Sequence, residues 1–175
     1  MARILFIIAP LRFRDEEYFD TREELEADNE IITASITKEP ATSMMKAEVI
    51  PDIAIEDALE QANTFDAIIF VGGQGSEYYF HHPIAHELAQ YARDHDKVLA
   101  SICWAGIILA NAGVLEGKRA TVWVGPERKE IRTFQEKGVT YVSEHVVTDG
   151  KIITADGPKA SREFAKAIRK ALGQA

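Results

Sequence analysis

Ile4–Ala9, Ala67–Val71 and Val98–Ile102 are runs of five or six residues in which Ser101 is the only polar side chain. Runs this short and this uniformly apolar read as strands buried on both faces, as in the middle of a parallel sheet, because a half-exposed strand alternates and a helix needs more residues. A parallel sheet obliges the chain to cross over between strands. Helix-compatible stretches stand where those crossovers belong, at Asp15–Asp28, Ile55–Ala62, Ile84–Asp94 and Trp104–Ala112. Ile31–Thr37 and Ala120–Val124 read as further strands, Met44–Ile53 as a small hairpin excursion, Glu127–Lys137 as a helix, and Lys159–Leu172 as a final amphipathic helix. Asp149-Gly150 is a strong hairpin turn and joins a last strand pair. The pattern predicts an α/β sandwich, a mostly parallel central sheet with helices on both faces.

With 175 residues, 46% apolar and 27% charged, the chain has the length and composition of a single domain over 1–175 with a substantial core. Its net charge of -8 and the lack of any basic run exclude phosphate-driven nucleic-acid binding. A single cysteine forbids an internal disulfide and leaves no zinc-finger spacing, which fits a reducing cytoplasm and implies no metal. Ile4–Ala9 is too short for a signal-peptide core, and no stretch approaches the ~20 apolar residues that span a bilayer, so neither export nor a membrane partner is expected.

Open α/β sheets bind ligands beyond the carboxyl ends of their strands. Three such ends carry chemistry here: Phe13 to Glu17 after the first strand, Gly72 to Glu77 after Ala67–Val71, and Cys103 with Trp104 after Val98–Ile102. Cys103 stands where a buried strand gives way to a helix rich in small residues, with Ser101 and Ala105 two positions to either side. That is the pattern of a nucleophile elbow, whose flanking residues are small because strand and helix backbones nearly touch. The amides of the following helix would favour thiolate and hold the Cys103 pKa well below the usual ~8.5. A buried, inert structural cysteine fits the same local pattern. The Gly72 to Gly75 turn lacks the full dinucleotide fingerprint, so a nucleotide cofactor is not implied.

These segments, in this order, resemble the ThiJ/PfpI family, which contains the intracellular protease I proteins and the parkinsonism-associated redox protein and sits within the class I glutamine-amidotransferase-like superfamily. The resemblance spans nearly the whole chain: the opening strand with its acidic turn, Phe65 to Gly73, Ala100 to Cys103, Ala112 to Thr121, and Val147 to Pro158. It implies a flavodoxin-like sandwich, no cofactor, and a homodimer or larger homo-oligomer. It makes Cys103 the nucleophile and Glu17 the carboxylic acid that hydrogen-bonds the thiol, with Asp15 and Glu16 as neighbours open to the same role. Such an acid helps only when protonated, since a carboxylate would repel a thiolate. Gly72 and Gly73 match the family's glycine pair, and the amides of Gly73 and Trp104 would form an oxyanion hole. Glu77 matches an acid that in protease-like members reaches a neighbouring subunit's site.

Two positions depart from the family pattern. Protease-like members carry His directly after the cysteine, where this chain has Trp104, and redox-type members carry a His at the position corresponding to Trp123. An indole N–H only donates, so Trp104 can neither activate the thiol nor protonate a leaving amine. His81 and His82, close behind the glycine turn, are the histidines that could be imported into the site, within the chain or across a subunit contact. Surface histidines ahead of a helix start at Pro83 are the plainer reading. The resemblance thus favours a stress-protection enzyme acting through Cys103 on small reactive carbonyls or glycated proteins, of glyoxalase-III or deglycase type, over an intracellular cysteine peptidase. A redox sensor or holdase chaperone with an oxidisable Cys103 is the non-enzymatic alternative.

Overall fold

The computed structural model describes residues 1–174. The chain opens with β1 (Arg3–Ile7), β2 (Leu11–Phe13), α1 (Asp15–Glu26), β3 (Glu30–Ser35), β4 (Ala41–Ser43), β5 (Glu48–Val49), β6 (Ile53–Ala54) and α2 (Ile55–Glu60). It continues through β7 (Ala67–Phe70), α3 (Pro83–Asp94), β8 (Val98–Ile102), α4 (Gly106–Asn111), β9 (Arg119–Ala120), α5 (Lys129–Glu136), β10 (Thr140–Tyr141), β11 (Val146–Asp149), β12 (Ile152–Ala155) and α6 (Ser161–Ala171). Seven strands form the central sheet in the order β11-β12-β8-β7-β1-β3-β6, every neighbouring pair parallel except β11 with β12, a hairpin whose turn is Gly150-Lys151, one residue beyond the expected Asp149-Gly150 because Asp149 still pairs with Ile152.

The three apolar runs take the middle of this sheet because helices cover both of its faces. Side chains alternate along each strand. Leu5, Ile7, Ile68, Phe70 and Leu99 share one buried cluster with Ala58, Leu88 and Ile108 of α2, α3 and α4. Ile4, Phe6, Ile69, Ala100 and Ile153 share the opposite one with Tyr18 and Leu25 of α1 and Phe164 and Ile168 of α6. The register aligns Ile7 with Phe70 and Phe70 with Ser101. The central strands therefore end level, and the chains leaving them meet in one crevice.

The hairpin expected over Met44–Ile53 starts earlier, as the antiparallel pair β4–β5 with β4 ahead of Met44, and β4 also pairs in parallel with β2, a three-residue strand the sequence pattern did not suggest. The expected Ala120–Val124 strand is shorter and lies elsewhere. Only Arg119 and Ala120 are strand, paired with β10 outside the central sheet. The ladder beside β8 is already filled by β12, whose other edge is taken by β11. Thr121 therefore donates its amide to the Thr154 hydroxyl at 2.9 Å, not to a strand carbonyl, and Thr121–Val124 runs as an irregular segment toward the crevice. The helix expected from Trp104 begins as a tight turn over Cys103–Ala105 and becomes α-helical at Gly106. Among the described residues no helix is long and apolar enough to cross a membrane.

Candidate active site

β8 delivers its last residue, Ile102, in extended conformation, and the next residue turns sharply: Cys103 has φ 61°, the left-handed region. A side chain with a Cβ is held there only at a cost of about 1–3 kcal/mol, a strain that recurs at functional positions. Ser101 and Ala105, both buried, supply the small flanks of the elbow. Gly72 packs against the outside of the turn. A Cβ at Gly72 would lie 2.4 Å from the Ile102 carbonyl oxygen, 2.6 Å from Glu17 Oε1 and 2.7 Å from Cys103 Cβ. Gly73, at φ 101°, leaves no more room, because a Cβ there would lie 2.5 Å from the Arg14 amide nitrogen.

Glu17 comes from the buried face of α1, the face it shares with Tyr18, Thr21 and Leu25. It is wholly buried, and neither carboxyl oxygen has a well-formed hydrogen bond. The polar groups acting on it are the Cys103 thiol, the Arg14 guanidinium, the Glu16 carboxylate and the Gly72 backbone. Burial without partners disfavours the carboxylate and raises the Glu17 pKa from 4.5 to about 8, against the smaller downward pull of Cys103 and Arg14. The two other acids of the turn do different work. Asp15 accepts from the Ser43 hydroxyl at 2.5 Å and the Met45 amide at 3.0 Å, tying α1 to the β4–β5 hairpin. Glu16 accepts from Arg14 Nε at 2.6 Å.

The expectation of a depressed Cys103 pKa is reversed. Burial pushes the thiol up, and an ionised Glu17 would push it further, while the backbones of Gly73 and Trp104 pull it down. Acid and thiol face each other, so their protons leave in two steps that belong to the pair. The form with one proton gone is the useful one, because either a thiolate has an O–H donor beside it or a carboxylate has an S–H.

Cys103 opens onto a cavity of about 380 Å³ lined by Arg14, Met44, Gly73, Gln74, Trp104, Trp123 and Pro158. The Trp104 and Trp123 rings meet edge to face at 6.4 Å between centroids, and Phe80 packs on Trp104 at 5.0 Å. Trp104 is not free to move. Its indole N–H donates to Glu130 Oε2 at 3.1 Å, and the other oxygen of that carboxyl accepts the Gly125 amide at 2.8 Å, beyond Trp123 in the same segment. The Trp123 amide donates to the Cys103 carbonyl at 3.2 Å, which joins this wall to the elbow.

Comparison with known proteins shows the family to which a chain with this fold belongs. Residues 2–171 match the DJ-1/PfpI family. This chain belongs to the DJ-1/PfpI family. It is 35% identical over 173 residues to an uncharacterized protein of Methanocaldococcus jannaschii, covering 98% of this chain and 82% of the other. It is 31% identical over 172 residues to a deglycase of Pyrococcus abyssi, covering 95% of this chain and 99% of the other. A glutathione-independent glyoxalase of Caenorhabditis elegans is 28% identical over 143 residues, with coverage of 82% and 73%. Among solved structures, a ThiJ/PfpI domain protein from Brachyspira murdochii superposes with a TM-score of 0.91 at 28% identity, covering 98% of this chain and 96% of that one.

Of the residues singled out from the sequence, the DJ-1/PfpI fold brings Cys103, Glu17, Gly72, Gly73, Trp104 and Trp123 together and holds Glu16 at the rim through Arg14. It does not bring the histidines there. His81 lines a separate cavity of about 420 Å³ that Trp104 and Glu130 also border. His82 packs between Tyr78 and Tyr79, and its half-burial lowers its pKa. Glu77 is exposed. Arg14, Met44, Gln74, Pro158 and Glu130 belong to the site and were missed. Arg14 had a signal, its place in the turn beside Glu17, whereas Met44, Pro158 and Glu130 arrive from distant segments by tertiary folding alone.

Two outcomes test this description. The raised Glu17 pKa gives stability that is whole below pH 4.5 and is lost as pH rises through about 8. The Glu17→Gln variant lacks that loss, so its stability relative to wild type in urea melts should climb by about 1.4 kcal/mol per pH unit across the window. A flat difference would mean that Glu17 ionises freely in the native state. Replacing Glu130 with Ala should leave the Trp104 N–H unpaired, red-shift tryptophan emission and cost about 1–3 kcal/mol; an unchanged spectrum would remove Glu130 from the wall.

Proposed function

We propose that this protein is a cysteine-dependent enzyme acting on small reactive carbonyls, 2-oxoaldehydes or the early adducts they form on proteins. The observation that carries the reading is the buried Glu17, with its proton held to about pH 8, set against Cys103 at the foot of a small, largely apolar cavity. Relatives named deglycase and glyoxalase support the same chemistry.

In the singly deprotonated pair the sulfur adds to the aldehyde carbon. The S–C bond forms, the carbonyl π pair moves to oxygen, the amides of Gly73 and Trp104 donate to it, and the Glu17 proton completes a hemithioacetal. Glu17, now a carboxylate, takes the hydrogen on that carbon as a proton and delivers it to the neighbouring carbon, while the hydroxyl proton passes to the neighbouring oxygen. The aldehyde carbon thereby reaches the thioester level as its neighbour is reduced from ketone to alcohol, with no outside oxidant. Water cleaves the thioester and releases a 2-hydroxy acid and the thiol.

Amide hydrolysis fits less well. Trp104 stands after the nucleophile with its one donor committed to Glu130, and neither His81 nor His82 lines the cavity.

Methylglyoxal consumption with lactate detection tests the reading. Cys103→Ser should abolish turnover, and Glu17→Gln should lower it by about 10²–10⁴-fold. The wild-type kcat/KM should rise with pH and level near 8, as the first proton leaves the pair. A wild-type protein inert toward methylglyoxal, or an active Cys103→Ser, would overturn it.

We also propose a homodimer or larger assembly in a reducing cytoplasm. Leu11, Met45, Ile50 and Tyr78 are exposed apolar side chains on or beside the small β2–β4–β5 sheet and the turn that packs on it. Light scattering at micromolar concentration should give at least twice the chain mass; a monomer would count against it.

A further inference from the structure

The wall of the Cys103 cavity is polar in an uneven way. Arg14 is the only charged side chain among the described residues that line it, in a chain whose net charge is -8. Its backbone is tied to the elbow, the Arg14 amide donating to the Gly72 carbonyl at 3.0 Å, and its own carbonyl accepts the Tyr18 amide at 3.2 Å in the first turn of α1. The guanidinium is fixed by one edge, Nε donating to Glu16 Oε2 at 2.6 Å, and the side chain keeps 35% of its surface exposed. Among the described residues no other side-chain hydrogen bond engages it, so the terminal nitrogens keep their donors. Its charge acts on both Glu17 and Cys103, which places it close to the reacting pair.

A planar cation anchored on one edge and open on the other matches a carboxylate, which it can grip with two parallel N–H donors. A neutral aldehyde filling this cavity would strip water from the guanidinium and return nothing. A substrate bearing an acid group removes that cost, and discrimination of this kind is large because the rejected ligand leaves a polar group unpaired. Glu16 holds the fork in place and tempers its charge without closing the open edge.

We propose that the site selects carbonyl substrates that carry a carboxylate, 2-oxoaldehydes with an acid group at the far end, with Arg14 as the specificity-determining residue and Glu16 as its positioning partner. This rests on the carbonyl reading of Cys103 and narrows it to anionic substrates. The bonds made and broken are those already given, and the carboxylate takes no part in them.

The test has two arms. In the first, Cys103 is alkylated with iodoacetate and with iodoacetamide, and the ratio of the two rates is compared with the same ratio for N-acetylcysteine. The wild-type ratio should exceed the free-thiol ratio by about 10–100-fold, the worth of a charged hydrogen bond. It should fall toward the free-thiol value in Arg14→Gln and lie between in Arg14→Lys. In the second arm, kcat/KM for 4,5-dioxopentanoate is divided by that for its methyl ester. The acid should be preferred by about tenfold or more in wild type, and Arg14→Gln should erase the preference. A wild-type alkylation ratio equal to that of the free thiol overturns the Arg14 assignment even if both aldehydes turn over, and needs no variant to fold. So does a thiol that neither reagent reaches. Anion preference in alkylation with neither aldehyde consumed overturns the carbonyl enzyme and upholds the anion-selective cavity.

Discussion

A carboxylic acid and a thiol share one buried corner of this protein, and they meet only because the residue between them has no side chain. A methyl group at Gly72 would press on the Ile102 carbonyl, the Glu17 carboxyl and Cys103 at once. The rest of the architecture serves that encounter. Level strand ends bring the elbow and the glycine turn side by side, and α1 rests on the sheet with the Glu17 face inward. The strained Cys103 backbone is kept in place by a fully buried β8 on one side and the Trp123 amide on the other. Strain of this kind persists only where the surroundings over-determine it.

The electrostatics of the corner follow from magnitudes. The N-terminus of a helix favours an anion by about 0.3–1 kcal/mol, rising to ~2 in good geometry. Burial in a low-dielectric pocket moves a pKa by as much as 3–5 units, which is several kcal/mol. Desolvation wins here, so both Glu17 and Cys103 hold their protons more tightly than in water. The backbones of Gly73 and Trp104 oppose that trend at sulfur.

The cavity wall is tied together through one carboxyl group. Glu130 holds the Trp104 indole and the Gly125 amide together. Two tryptophans and a single guanidinium line the cavity.

The fold was readable at the level of strands and helices because that signal is local. Unbroken apolar runs at Ile4, Ala67 and Val98 could only be strands buried on both faces, and the small residues around Cys103 announced a sharp strand-to-helix turn. The same reasoning overextended the strand at Ala120–Val124, because whether an apolar segment joins a sheet depends on whether an edge is free, and β11 and β12 had taken that edge. Among the clustered acids, helical spacing with Thr21 and Leu25 singles out Glu17 as the inward-facing one, a signal present in the sequence. By itself, then, the sequence determined the parallel sandwich, the position of the cysteine on its strand-to-helix turn and the tryptophan that follows it, all consequences of side-chain periodicity and identity over a few residues. Only the tertiary structure decided that the thiol is pushed up and not down, that Trp104 leans on Glu130, and that Arg14 faces the cavity, because desolvation and side-chain contact depend on segments up to more than a hundred positions apart being packed into one crevice.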